Sequence, residues 1–217
     1  MGSSGTPART LNKRPFWESL FRPRRETTKV CHILLQDPKF FQLLLRIDID
    51  LAEQTRAAGC PCGGVHHRSN YPRKPRACLN EARADYSSRF SFCCNLCRKR
   101  ATAMSVRFLG RRVYLGLAVV LLSARRAGPT ATAAKLCDSL QISSLTLARW
   151  RSWWIEQFPL TSLWQVGCAR FMPPVATDDF PAGLLDRFTG AAQESLMRLL
   201  IFLTPLTVGP IKLMEGR

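Results

Sequence analysis

Nine cysteines punctuate the 217 residues, and four of them stand at spacings that suit a metal ion. Cys60-Pro-Cys62-Gly-Gly is followed, about thirty residues on, by Cys93-Cys94-Asn-Leu-Cys97-Arg-Lys-Arg. Each half offers a pair of thiolates from a tight turn among glycine or small polar neighbours. Two such knuckles, each ending a short hairpin, close a tetrahedral four-cysteine zinc site, and a shell closed in that way is structural, not catalytic. The expected ligands of Zn2+ are therefore Cys60, Cys62, Cys94 and Cys97. The Cys94 to Cys97 spacing is the usual C-x2-C, whereas the first pair is one residue tighter. Cys93 therefore stands as an alternative to Cys94, and His66 as an alternative to a first-knuckle ligand. Cys31, Cys78, Cys137 and Cys168 have no partner at metal spacing and read as packing or surface thiols.

The charge has an equally uneven layout. The formal net charge is +17, from 32 Lys+Arg against 15 Asp+Glu, and a surface needs far less than that for solubility. Residues 170–217 carry five basic and five acidic side chains, so the whole excess lies in residues 1–169. It peaks from Cys60 to Arg112, where twelve basic residues meet only Glu81 and Asp85. An acidic partner follows from this, and nucleic acid is the first expectation. Between the knuckles, Tyr71-Pro72-Arg73-Lys74-Pro75-Arg76 is a proline-stiffened basic segment. Arg73, Lys74 and Arg76 suit backbone phosphates, and Tyr71 a base face.

Other elements must hold these residues in place. With 46% apolar residues the chain has enough greasy surface for a core, and its length suits one or two small domains. Residues 1–58 read as a basic, aromatic-bearing arm followed by a long helix. That helix is capped by Asp37, has Pro38 at its first position, and stops at Gly59. Phe40, Leu44, Ile47 and Leu51 form its apolar face. Residues 59–104 form the zinc-ribbon-like module, with Ser87 to Cys93 as a strand alternating polar and aromatic residues. Residues 105–158 form a helix-turn-helix domain behind a buried helix from Arg112 to Arg125 that Gly128-Pro129 ends. Residues 159–217 form a neutral helical tail, with helices at 180–188 and 194–203. Its Leu and Phe content calls for packing on the upstream domain, or on a second copy or a transposase.

The helix-turn-helix reading rests on residues 130–154. Ala133, Ala134 and Leu136 are expected on the inner face of the first helix, Ile142 buried in the turn, and Ser143 capping the second helix. Leu147, Trp150 and Trp154 place one apolar stripe toward the core. Ser144, Leu145, Ala148, Arg149 and Ser152 are left facing outward, toward a major groove. Arg149 is the residue best equipped to read a guanine. Gln141 stands where such a turn usually has glycine, at some cost in strain.

Residues 130–154 resemble the helix-turn-helix of bacterial regulators and transposase N-termini. The blocks GCPCGG at 59–64, YPRKPR at 71–76, FSFCC at 90–94, CRKR at 97–100 and SVRFLGRRVYLG at 105–116 resemble a further family. So do LARWRSWW at 147–154 and RFMPPVA at 170–176. That family comprises uncharacterised bacterial zinc-ribbon proteins encoded beside insertion-sequence transposases. The resemblance runs from about residue 15 to the end and implies a DNA-binding accessory role in a bacterial cytoplasm, at the nucleoid.

Enzyme chemistry has less to stand on. A three-carboxylate nuclease needs acids placed for two metal ions, and residues 60–169 contain only Glu81, Asp85, Asp138 and Glu156. Asp178-Asp179 reads as a cap for the helix near Pro181. The alternative is a small metal-dependent nuclease using His66 and His67 beside the knuckles, with no catalytic residue assigned otherwise. Met1 to Pro7 is polar, and Val113 to Leu122 falls short of the roughly 20 apolar residues that span a bilayer. The expectation is a soluble, intracellular, mainly α protein with a small β zinc ribbon, a helix-turn-helix and a helical tail, binding DNA and not membrane.

Overall fold

The computed structural model describes residues 33–109, 114–124 and 131–208. The expected helix, α1, runs Pro38–Ala57. Asp37 caps it by accepting the Lys39 N–H at 2.9 Å, and Gly59 takes the left-handed conformation just past its end at φ +64. Phe40, Phe41 and Leu44 are fully buried along it, while Ile47 and Leu51 are half-buried. Five short strands follow: β1 His66–Arg68, β2 Tyr71–Pro72, β3 Ser88–Arg89, β4 Ser91–Cys94 and β5 Arg100–Thr102. Strand β4 lies between β1 and β5 in an antiparallel three-stranded sheet, and β2 pairs with β3 in a separate ribbon. The single strand expected over Ser87 to Cys93 is thus two strands. The chain changes partner at Phe90, and the burial alternation breaks there because β3 and β4 serve different sheets.

The core lies on the helical side. Helix α2, Gly116–Ser123, has all eight residues buried, as its nearly unbroken apolar sequence requires. Helix α3, Ala131–Ser139, and helix α4, Ser144–Ser152, follow, and Trp150 of α4 is buried edge-on to Tyr114 with ring centroids 4.9 Å apart. Beyond a π-helical turn at Trp153–Gln157 come helices α5 Ser162–Gly167, α6 Ala182–Leu185 and α7 Ala192–Phe202. Trp154, Phe158, Trp164 and Phe180 form a ring cluster at centroid distances of 4.8–5.6 Å. Leu196, Leu199 and Leu200 of α7 join the same core, so the tail packs on the chain's own upstream helices. One apolar cluster runs from Leu34 to Leu206, through all four stretches distinguished in the sequence.

Three local expectations need correction. Ala134 is exposed: among the described side chains of α3 only Cys137 is half-buried, and the buried residue on this side is Leu140, just past the helix end. The side chains of Ala133 and Leu136 lie outside the described residues, as do the arm, Arg112 and Gly128-Pro129. The helix expected over 180–188 is only Ala182–Leu185. It begins at Pro181 without a side-chain cap, because Asp178 and Asp179 form their own 3-10 turn, with the Asp179 carboxylate against Gly183.

The turn between α3 and α4 keeps its expected strain. Gln141 sits at φ +55, where a Cβ crowds the backbone at a cost of roughly 1–2 kcal/mol. Gln141→Gly is accordingly expected to stabilise the chain by about 1 kcal/mol in denaturant unfolding. An unchanged or lower midpoint would mean that the Gln141 side chain contributes contacts of equal weight.

A buried ionic joint holds the sheets to α1. Asp48, on the inward face of α1, accepts the Arg107 Nε–H at 2.7 Å, the Ser105 hydroxyl at 2.6 Å and the Val106 N–H at 2.7 Å. Arg107 is fully buried and flanked by Tyr86, Phe90 and Phe108, and it also donates to the carbonyls of Asp85 and Ser88. Arg89 lies 4.0 Å from Asp48 and donates to the carbonyls of Ala103 and Thr207. Two of the twelve basic residues between Cys60 and Arg112 are therefore internal struts and not partner-facing charge.

Candidate metal centre and nucleic-acid face

The two cysteine turns meet. The first, residues 60–64, leads into β1; the second, Cys94-Asn95-Leu96-Cys97, connects β4 to β5. The register pairs His66 with Cys94, and this carries the first turn across to the second. Asn95 ties them together: its N–H donates to the Val65 carbonyl at 3.0 Å, and its side-chain oxygen accepts the Val65 N–H at 2.8 Å. Gly64 has to be glycine, since a Cβ there would collide with Cys94 Sγ and Asn95 Oδ1.

This closeness brings the Sγ atoms of Cys60, Cys62, Cys94 and Cys97 within 4.8 Å of one another. The Cys60–Cys97 and Cys62–Cys94 pairs are each 3.5 Å apart. A tetrahedral thiolate site with Zn–S of about 2.3 Å needs sulfurs roughly 3.8 Å apart, so the four fit zinc with little adjustment. The thiols ionise unequally. The Gly64 backbone N–H, aided by the neighbouring thiols, pulls Cys62 down to about 6. The Cys97 backbone N–H lowers Cys94 as well. The Cys62 backbone favours the Cys60 thiolate, but the surrounding sulfurs and desolvation outweigh it and push Cys60 up to about 12. A divalent cation held there would allow four such groups to be thiolates together.

The alternative ligands fall outside the cluster. His66 is buried, with Nδ1 3.1 Å from the Thr55 carbonyl and its ring stacked on Phe92. Cys93 points its thiol at the Arg98 carbonyl, 3.5 Å away, because neighbours on a strand face opposite sides. His67 is exposed on the face opposite His66. The eight cysteines among the described residues are all free thiols.

No family model, curated protein or solved structure matches this chain. Lys74 and Arg76 are exposed and Arg73 is half-buried. Tyr71 is engaged on its face, with the Arg73 and Arg100 guanidinium carbons 4.7 and 5.7 Å from the ring centroid. Arg76 donates to the Tyr114 hydroxyl at 3.3 Å, and Tyr114 rests on Trp150, so the basic loop is tied to the base of α4. On α4, Ser144, Leu145, Ala148 and Arg149 are exposed, Leu145 by 61%. Ser152 departs from that set: it is half-buried and donates its hydroxyl to Glu156 at 2.7 Å. Ser143 caps α4 by accepting the Thr146 N–H, and Ile142 is buried, both as expected. Sequence reasoning missed Asn95, whose position inside the second knuckle is the one signal that could have pointed to it. Among the described residues no helix is long and apolar enough to cross a membrane.

Proposed function

We propose that this chain is a sequence-directed DNA-binding protein, an accessory factor or regulator of a mobile element, built on a zinc ribbon and a helix-turn-helix. The observation that carries the reading is α4. Buried Trp150 fixes the helix to the core, while Ser144, Leu145, Ala148 and Arg149 form one exposed face free to enter a major groove. Arg149 is suited to the acceptor edge of guanine and Leu145 to a thymine methyl. Arg73, Lys74 and Arg76, tied to α4 through Tyr114, supply phosphate contacts beside it. Zinc held by Cys60, Cys62, Cys94 and Cys97 cross-links the ribbon and takes no part in chemistry. The mobile-element setting comes from the resemblance of the sequence blocks, with a transposase or a second copy as the protein partner and the bacterial nucleoid as the place of action. The nuclease alternative needs His66 at a substrate, and its burial against Thr55 gives that reading no support.

Selection of duplexes from a randomised pool tests the proposal. An enriched site is expected, and Arg149→Ala is expected to weaken it by about 1–3 kcal/mol, with preference lost at one guanine. A pool that stays unenriched, or an Arg149→Ala chain that reads the same site equally well, would refute the groove assignment.

A further inference from the structure

A cavity of about 360 Å3 lies between the loop 74–83 and the turn that ends α3. Lys74, Arg76 and Arg83 line it together with the amides of Gln36, Asn80 and Gln141, and no carboxylate or aromatic ring is among the described residues that line it. Three cations around one space repel each other unless an anion sits among them. Among the described residues neither Lys74 nor Arg83 is ion-paired. The wall is also where the backbone is strained. Of the three non-glycine residues with left-handed φ among the described residues, Ala77 at +58 and Gln141 at +55 both line this cavity. Such conformations persist only where the surroundings enforce them, and they gather at sites of function.

We propose that this cavity seats a backbone phosphate of the same duplex whose groove α4 enters; the inference rests on the DNA-binding reading. Guanidinium and amide donors suit the oxygens of a phosphodiester. Its position argues for DNA over a free nucleotide. Gln141 in the wall is two residues from Ser143, the cap of α4, which places wall and helix start within about 7 Å along the chain. A major groove is roughly 12 Å wide, so a helix in it has phosphates at that reach on either rim. With no aromatic ring among the described lining residues, a base has none of them to stack on. Arg83 and Asn80 thereby join Lys74 and Arg76 in setting the angle at which α4 approaches the duplex.

The test is the salt dependence of binding by the full chain to a mixed-sequence duplex of about 30 base pairs. Arg83→Gln is expected to lower the slope of log affinity against log salt by about 0.9, the share of one phosphate. Arg83→Lys should restore it, and Asn80→Glu, which puts a carboxylate into the cavity, should lower it as well. Arg170→Gln, an exposed charge elsewhere, should leave the slope as it is. Arg83→Gln and Asn80→Glu chains that bind with the wild-type slope would overturn the inference and leave the DNA reading standing. A wild-type chain that does not bind the duplex would overturn both. Tight binding of pyrophosphate to the wild type, lost in Arg83→Gln while the duplex slope stays unchanged, would assign the cavity to a free phosphate compound and overturn the duplex source.

Discussion

Cys94→Ser is expected to abolish stoichiometric zinc binding and to unfold the sheet formed by β1, β4 and β5. The reason is the size of the core beneath that sheet. Apart from the main cluster, the apolar core beneath it among the described residues is Ala52, Phe92 and Ala103, with Phe90 packed against them. So little apolar area does not offset the entropy of ordering three strands, and a small module of this kind depends on a cross-link. Zinc bound by a closed cysteine set contributes roughly 10–16 kcal/mol of apparent binding free energy, which becomes folding free energy when the site does not preexist in the unfolded chain. Cys94 is the ligand to change because it is fully buried and lies against Gly64, where both turns meet. Elemental analysis should find one zinc per wild-type chain and none in the variant. Hydrogen exchange should lose its protection at 66–68 and 91–102 while α2 and α7 keep theirs. A variant that retains zinc, or a zinc-free wild type with full protection in those strands, would contradict the assignment.

Asp48→Ala is the second large effect, expected to cost about 3–5 kcal/mol. The loss arises because Arg107 stays behind, buried and charged, without its carboxylate. Arg89 is affected too: burial already lowers its pKa, the nearby Asp48 works against that, and one of its terminal nitrogens has no hydrogen-bond partner. The Ser105 hydroxyl and the Val106 N–H would each lose an acceptor at the same time. Urea unfolding measures the change. Adding Arg107→Met should recover part of it, since removing both charges leaves no orphan. A loss below about 1 kcal/mol would place the pair among weak surface bridges and contradict its role as the joint between α1 and the sheets.

That joint shows where sequence reading stopped. The helix 38–57 was legible from its ends, because Asp37-Pro38 and Gly59 are local signals with local causes. That the two cysteine pairs could share one site was legible for a similar reason: short-range turn chemistry fixes which thiols can converge, and the registered strands bring the four sulfurs together. The α3 to α4 turn was equally readable from Ile142 and Ser143. Asp48 was not, since its partners lie 57–59 residues away, and a charge on an amphipathic helix ordinarily faces water. Arg89 and Arg107 were counted with the basic surface because composition does not separate a strut from a contact. His66 and Cys93 stand as rival ligands in the sequence; strand alternation puts Cys93 on the face opposite Cys94, whereas His66 shares the Cys94 face but packs its ring on Phe92 with Nδ1 at the Thr55 carbonyl. The cavity beside Gln141 joins segments some sixty residues apart, and no period or motif announces it.

The proposed DNA binding through a basic loop joined to α4 is measured most directly as duplex affinity of the zinc-loaded full chain across salt. With roughly 6–10 phosphate contacts, affinity is expected to fall about 10³–10⁵-fold between 50 and 200 mM salt. An affinity that is flat over that range, or absent at the lower salt, would contradict the account.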